Sequence, residues 1–219
     1  MRITVGHTEV DLLPERAAFL PASKALVVAD LHLGKSATFR TRGLPVPEGT
    51  TQSDLDRLSQ LLDHTKASSL VIAGDLIHSH DGLTSSVLRR FKEWLGQIDC
   101  PVILTEGNHD RRSSLSRSLG GIQIVREQMI DKLLVTHDPE DLPASQVGLA
   151  GHLHPGIRIS ESRHSSIRLP AFQLRDEKHL IMPAFSEFTG LQIIKPTPAD
   201  RFFVSLRDSI TEVPTKLIS

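Results

Sequence analysis

The chain has 219 residues, of which 39% are hydrophobic and 23% charged, so we expect an ordinary globular protein with a single domain over residues 1–219. A formal net charge of −1 excludes a general attraction to nucleic acid or membranes, so any polyanion must bind at a local cationic patch. The single cysteine excludes an intrachain disulfide, and no signal peptide or membrane-spanning run is expected, which together predict a cytoplasmic protein.

Five short apolar runs follow one another along the chain, and each ends in a polar cluster. They are ALVVADLH, LVIAGDLIH, PVILTEGNHD, LLVTHD and VGLAGHLH, at 25–32, 70–78, 101–110, 133–138 and 147–154. Runs of this length that are rich in Val, Ile and Leu predict buried strands. In folds built from such strands, ligands bind beyond the carboxyl ends, where all five polar clusters would lie.

Two segments between the first three runs predict amphipathic helices packed on a sheet. TTQSDLDRLSQLLDHTKA offers Thr or Ser as an N-cap and places four leucines at helical spacing, namely Leu55, Leu58, Leu61 and Leu62. SSVLRRFKEWLGQI has a second apolar stripe made of Leu88, Phe91, Leu95 and Ile98. Strands that alternate with helices predict an α/β fold (α+β by strict count) with parallel strands early in the chain.

The rest of the chain predicts further β-structure. The later segments IQIVREQMI, IRLPAFQL, HLIMPAF and FFVSL predict a second sheet, and the N-terminal strand pair around RITVGHTEVDLL is compatible with either sheet. The closing segment, 195–219, is compatible with a last strand followed by a loose tail, or with a homodimer contact.

The polar clusters contain seven side chains that are suited to bind metal ions. They are Asp30, His32, Asp75, Asn108, His137, His152 and His154. Carboxylate, imidazole and amide oxygen ligands suit Mn, Fe or Zn, and seven ligands are too many for one tetrahedral ion. Two divalent ions would bring four positive charges against two carboxylates, and this excess attracts a phosphate and acidifies a bridging water.

The ordered series D-x-H, G-D, G-N-H-D, H and G-H-x-H resembles the binuclear metallophosphoesterase superfamily, whose fold is a double β-sandwich flanked by helices. The resemblance implies that Asp75 bridges the two ions. One ion would also be held by Asp30, His32 and His154, and the other by Asn108, His137 and His152. The resemblance further implies that His109 faces the phosphate as a general acid or transition-state stabiliser, and that Asp110 orients its ring.

A narrower resemblance covers nearly the whole chain. LHLGK…FR…GLPVP, GDLIHS, GHLHP and MPAFSEFTG are similar to the ligase-associated DNA damage response endonuclease family, often called PdeM. The resemblance implies a bacterial Mn-dependent phosphodiesterase that cuts DNA, with single-stranded DNA and no sequence specificity as the expectation. It also implies association with a DNA ligase and a helicase in DNA repair.

Four further residues are candidates for substrate binding, each with a plainer alternative. His78 stands where many metallophosphoesterases have Asp, so it is either a partner of the site or of the nucleic acid, or a surface histidine at a helix start. Lys35 either contacts a phosphate or pairs with a nearby carboxylate. Arg111 and Arg112 either draw a DNA backbone toward the site or lie solvated at a helix N-terminus.

Other cations and aromatic residues near the motifs carry weaker signals. A basic track along the cleft is a further expectation, built from Arg40, Arg42, Arg158 and Arg163. Aromatic residues are few, so base-stacking surfaces should be sparse, and Phe39 is the one aromatic residue near the first motif, although Phe is usually a core residue.

The sequence predicts hydrolysis of a phosphodiester by in-line attack of a metal-bridging hydroxide, with His109 assisting the leaving oxygen. Alternatives within the superfamily are a phosphomonoesterase and a cyclic-nucleotide or nucleotide-pyrophosphate hydrolase, since fold does not separate these activities. An alternative of a different class is a non-catalytic interaction module, as in the retromer subunit of this fold. The complete ligand set favours catalysis.

Overall fold

The computed structural model describes residues 1–46, 49–113, 119–162 and 165–219, whose main chain forms two β-sheets. The first sheet contains β1 (Arg2–Val5), β2 (Thr8–Leu13), β3 (Ala17–Leu20), β4 (Ala25–Val28), β5 (Ser69–Ile72), β6 (Val102–Thr105) and β7 (Ile122–Val125). The second contains β8 (Gln128–Ile130), β9 (Leu133–Val135), β10 (Gly148–Ala150), β11 (Pro155–Ser162), β12 (Ser165–Arg175), β13 (His179–Ile181), β14 (Gln192–Ile193), β15 (Asp200–Ser205) and β16 (Ile210–Val213). The α-helices are α1 (Lys35–Thr41), α2 (Thr50–Thr65), α3 (Ser85–Leu95) and α4 (Asn108–Ser113).

The strands of the first sheet lie side by side in chain order. From β1 to β4 each strand is antiparallel to the next, whereas β4, β5, β6 and β7 are parallel, with Val71 opposite both Val27 and Ile103. The parallel strands predicted from the first three apolar runs are therefore confirmed. The N-terminal strand pair, which is compatible with either sheet from its sequence, extends the first one.

The predicted second sheet is also confirmed. Its strands lie in the order β14, β11, β12, β13, β10, β9 and β8, with β15 and β16 added beside β12. Strands β9, β10 and β13 are parallel, so the polar residues that follow β9 and β10 lie at the same edge. The prediction of a loose C-terminal tail is wrong, because β15 and β16 pair and the Ser219 N–H donates to the Arg158 carbonyl over 2.9 Å. A homodimer contact stays a prediction.

Alternate side chains of the parallel strands enter two separate cores. Val27 packs against Phe172 in the core between the two sheets. Leu26, one position earlier, packs with Leu58 and Phe91 in the core between the first sheet and α2 and α3. Burial on both faces explains why these strands consist of continuous apolar residues rather than an alternating pattern.

The two long helices form where they were predicted, but with different details. The apolar stripe of α2 is confirmed, although its N-cap is Gly49 rather than Thr or Ser. The buried side of α3 consists of Val87, Phe91 and Trp94, whereas Leu88 and Leu95 are only half-buried and Ile98 lies beyond the helix. The predicted stripe is nevertheless confirmed, because Phe91 lies in the core of the helical layer and Leu88, Leu95 and Ile98 pack against it. The prediction omitted Trp94, whose indole N–H donates to the Ser59 hydroxyl of α2.

Among the described residues, no helix combines the length and apolar character that crossing a membrane would require.

Candidate metal centre

All seven predicted ligands lie where parallel strands of the two sheets end. Those from the first sheet follow β4 (Asp30 and His32), β5 (Asp75) and β6 (Asn108, at the start of α4). Those from the second sheet follow β9 (His137) and β10 (His152 and His154). Because both sheets present their carboxyl ends to the same space, the structure gathers these side chains into two adjacent groups.

The first group contains Asp30, His32 and His154, whose ligand atoms lie within 4.8 Å of one another. The Nε2 atoms of His32 and His154 are 3.2 Å apart, and His154 Nε2 is 3.4 Å from Asp30 Oδ1. Burial lowers the pKa of His32 far below its ordinary value, and the Lys35 charge lowers it further, so this imidazole is neutral and offers a lone pair.

The second group contains Asp75, His137 and His152, again with ligand atoms within 4.8 Å of one another, and Asn108 adjoins it. His137 Nδ1 donates to the Ala73 carbonyl over 3.2 Å, which leaves a lone pair on Nε2. That nitrogen faces Asn108 Oδ1 at 3.0 Å and Asp75 Oδ1 at 3.5 Å. His152 Nδ1 lies 3.1 Å from the same nitrogen, so imidazole nitrogens and oxygens that can each bind a cation converge here.

The polar atoms of the two groups fit a pair of divalent ions. Asp30 Oδ1 and His32 Nδ1 are buried without a hydrogen-bond partner, although buried polar atoms are normally paired. Burial raises the pKa of Asp75, and the nearby Asp30 charge raises it further, so two carboxylates repel one another in a buried place. Cations would remove this repulsion. The sharing of Asp75 between both ions stays a prediction.

Two glycines of the motifs allow the ligands to approach one another. A Cβ on Gly74 would overlap the ring of His137, and a Cβ on Gly107 would overlap the carboxylate and the backbone nitrogen of Asp75. At both positions, therefore, a side chain would displace a ligand from the centre.

His109 lies at the solvent side of the centre, with 32% of its side chain exposed. Its Nε2 is 3.9 Å from Asp75 Oδ2, and its backbone N–H donates to Asp75 Oδ1 over 2.9 Å. Its Nδ1 is 2.5 Å from the carbonyl oxygen of His78. The carbonyl of His78 therefore orients the ring, a role that the resemblance gave to Asp110.

Asp110 holds the backbone around the centre, and its effect on the orientation of the His109 ring stays a prediction. It is buried and accepts hydrogen bonds from the N–H groups of Leu76, Ile77 and Gly107 at 3.3, 3.0 and 3.1 Å. These bonds join the loop after β5 to the loop after β6, so Asp110 positions both Asp75 and His109. Burial raises its pKa to about 6, although the three bonds act in the opposite direction.

His78 lies beside the centre rather than fully exposed on the surface. Its ring is half-buried and nearly parallel to those of His109 and Phe39, with centroids 5.3 and 6.4 Å away and interplanar angles of 21° and 14°. Burial lowers the pKa of His78 to about 4, and the Lys35 charge contributes to this shift. A role for His78 in substrate binding stays a prediction.

The other predicted cations are placed differently from one another. Lys35 is half-buried at the start of α1, near the charges of Asp30 and Asp75, with Nζ 3.4 Å from Thr189 Oγ1, and its burial lowers its pKa. Arg111 and Arg112 are exposed on α4. Of the expected basic track, Arg40 and Arg42 flank the end of α1 and Arg158 lies in β11, whereas Arg163 lies outside the described residues.

Three residues near the centre have no role in the sequence prediction. Asp138 Oδ2 is 3.9 Å from His152 Nε2, and its position directly after His137 is a signal that could have revealed it. Thr189 contacts Lys35, and Phe188 contacts Phe39 edge to face with centroids 5.5 Å apart. Both lie in the MPAFSEFTG segment, whose spacing by itself gives no sign that it reaches the centre.

Comparison with known proteins adds a family and a structural likeness. The model of the calcineurin-like phosphoesterase family matches residues 23–158, a range that contains all seven predicted ligands. Among solved structures, the chain is similar to a nuclease of Pseudomonas putida called MPE, with 31% identity over 96% of this chain and 99% of that one and a TM-score of 0.80. It also matches Yfce, a phosphoesterase from E. coli, with 19% identity over 86% of this chain and 97% of that one and a TM-score of 0.46. No curated protein matches the sequence significantly.

Proposed function

The chain belongs to the calcineurin-like phosphoesterase family, and on this premise we propose that it is a metal-dependent phosphodiesterase that cleaves single-stranded DNA without sequence specificity. The observation that carries the proposal is the pair of adjacent ligand groups, with His109 placed at their solvent side. When bound, two divalent ions would activate water and neutralise charge on the phosphate.

The described side chains supply the remaining chemistry. In the protonated ring of His109, Nδ1 donates to the His78 carbonyl, so Nε2 is the atom that can give a proton to the leaving oxygen. The Asp75 carboxylate, 3.9 Å from Nε2, stabilises the protonated ring. Asp110 keeps this arrangement in place by fixing the two loops that carry Asp75 and His109.

Single-stranded DNA as the substrate is supported by the likeness to a protein described as a nuclease and by the cations beside the centre. Lys35 would contact the phosphate next to the bond that is cut, with Arg111 and Arg112 farther along the backbone. We propose Mn as the physiological metal, because the N and O ligand set suits it and the resemblance to the PdeM family favours it over Fe or Zn. That resemblance also supports action in cytoplasmic DNA repair with a DNA ligase and a helicase.

The first test compares hydrolysis of bis-p-nitrophenyl phosphate, a diester, with that of p-nitrophenyl phosphate, a monoester. Wild type is assayed with Mn added and with EDTA, beside His109→Ala and the control His64→Ala, an exposed histidine on α2. We expect diester hydrolysis that EDTA abolishes, a loss of about 10²-fold or more in His109→Ala, and no change in His64→Ala.

The alternative activities predict different results. Faster hydrolysis of the monoester would identify a phosphomonoesterase. Hydrolysis of neither ester with any divalent metal, although the protein binds the metal, would exclude catalysis and favour the interaction module. If the diester is cleaved, a fluorescent single-stranded oligonucleotide is the next substrate. Failure to cut the oligonucleotide would indicate that the protein is a phosphodiesterase that acts on small nucleotides.

A further inference from the structure

A pair of phenylalanine rings lies beside the metal centre and takes no part in it. Phe39 of α1 and Phe188 of the loop 184–190 are both half-buried, with their rings at 86° and their centroids 5.5 Å apart. Rings in this edge-to-face arrangement form a corner that can receive a third flat group against the face of one ring. We call these two residues the aromatic corner.

The aromatic corner is connected to the catalytic histidine through a series of nearly parallel rings. Phe39 lies 14° from the plane of His78, and His78 lies 21° from the plane of His109. The centroid separations along this series are 6.4 and 5.3 Å. The aromatic corner is thus two ring contacts from the His109 ring.

The charges around the aromatic corner suit a polyanion. Helix α1 carries Lys35 and Arg40 and no acidic residue, and Arg42 follows it directly. The positive charges of Lys35 and Arg42 both act on His78, so both lie near the ring series. Half-buried aromatic rings beside cations match a nucleic acid strand, whose bases stack while its phosphates pair with cations.

The loop that carries Phe188 is held in place by two half-buried arginines. Arg16 donates to the carbonyls of Ala184 and Ser186 at 3.4 Å, and Arg57 donates to the Phe185 carbonyl. The Arg57 guanidinium also lies 4.1 Å from the centre of the Phe185 ring. Because several contacts fix this loop, Phe188 is positioned before a ligand arrives, which lowers the entropy lost on binding.

We propose that the aromatic corner stacks a base of the single-stranded nucleic acid and thereby places the neighbouring phosphate at the metal centre. This inference rests on the proposed phosphodiesterase activity and adds to it a base-recognition site. It predicts that the enzyme requires an unpaired base next to the bond that it cuts, since a base within a duplex is covered on both faces and cannot stack on Phe39 or Phe188.

The test uses two single-stranded oligonucleotides of equal length, one with ordinary bases and one with a central tract of tetrahydrofuran abasic residues. The readout is the ratio of kcat/KM for cleavage within the central tract of the first to that of the second. We expect about tenfold or more in favour of bases for wild type, the size of one stacking interaction. The ratio should approach one in Phe39→Ala and Phe188→Ala, and should persist in Phe188→Trp, which keeps an aromatic face.

Ile167→Ala, at an exposed apolar side chain of β12, is the matched control and should keep the wild-type ratio. Equal cleavage of both oligonucleotides by wild type would overturn the inference without any variant, and so would alanine variants that slow both substrates by the same factor. If wild type hydrolyses bis-p-nitrophenyl phosphate but cleaves both oligonucleotides equally, only the proposed base-recognition site is contradicted. If it hydrolyses no diester at all, the proposed function fails.

Discussion

Most of the predicted metal ligands adopt a backbone conformation that is rare for residues other than glycine. The left-handed ligands, with φ between 47° and 68°, are Asp30, His32, Asp75, His152 and His154. Each such residue costs on the order of 1 kcal/mol, and residues of this kind concentrate at functional sites. The strands end two to four residues before these positions, so the left-handed turns lie in the loops that carry the residues to the metal centre.

The first prediction concerns Gly107, which lies directly against Asp75. In Gly107→Ala the new methyl group must displace the Asp75 carboxylate or its backbone, and the hydrogen bond from the His109 N–H is lost with it. We expect a loss of stability of about 1–3 kcal/mol, typical of overpacking, together with weaker Mn binding. Urea unfolding and titration calorimetry with Mn measure the two effects.

Gly96→Ala is the matched control for this substitution. Gly96 follows α3 in a right-handed conformation, and the nearest atoms to an added Cβ are carbonyl oxygens at 3.5 and 3.6 Å. It should keep both the wild-type stability and the wild-type Mn affinity. Wild-type Mn affinity in Gly107→Ala would show that the close contact with Asp75 does not position this ligand.

At the scale of elements, α2 connects the helical layer to the loop that carries Phe188. Asp54 and Arg57 lie 3.2 Å apart on its buried side, and Arg57 also pairs with Glu187 at 2.8 Å. Burial raises the pKa of Asp54 to about 6, although the Arg57 charge and the Ser186 hydroxyl act in the opposite direction. The helix thus carries a titratable group at its contact with the loop.

The pKa of Asp54 predicts a specific effect of pH on stability. Because its pKa is higher in the folded than in the unfolded chain, protonation favours folding, and this contribution is present below about pH 4 and is lost as the pH rises through about 6. The free energy of unfolding of wild type relative to Asp54→Asn should therefore increase as the pH falls from 7 to 4. The full change is at most about 3 kcal/mol, for a shift of about two pKa units.

Urea unfolding of both proteins across this pH range measures the difference. Asp63→Asn, at an exposed position on the same helix, should show no trend with pH relative to wild type. A constant difference between wild type and Asp54→Asn from pH 7 to pH 4 would show that Asp54 titrates near its ordinary pKa.

Elements whose formation depends on neighbouring residues could be predicted from the sequence, whereas features that depend on tertiary packing could not. The strands before Asp30, Asp75 and Asn108 were predictable, because burial on both faces requires a continuous apolar run. The burial of Trp94 on α3 was not, because it depends on the position of α2, whose Ser59 pairs with the indole. The aromatic corner was also hidden, since Phe39 and Phe188 are distant in sequence and meet only after both sheets have formed.

At the scale of the whole molecule, each ligand group joins the two sheets. The first group takes Asp30 and His32 from the loop after β4 and His154 from the loop after β10. The second takes Asp75 from the first sheet and His137 and His152 from the second. The family and the ordered series of motifs implied that the ligands meet, but only the topology shows that each ion would cross-link separate layers.

This cross-linking predicts that metal binding stabilises the whole fold. An ion at 100 times its Kd stabilises the folded state by about 2.7 kcal/mol, provided that it does not bind the unfolded chain. For a chain of this size, that amount corresponds to a rise in Tm on the order of 5–10 °C. We therefore expect differential scanning calorimetry to give a higher Tm with Mn than with EDTA.

His137→Ala should reduce this rise, whereas His64→Ala should retain it in full. Equal Tm values for Mn-loaded and EDTA-treated wild type would show that the ligand groups do not join the sheets through a bound ion.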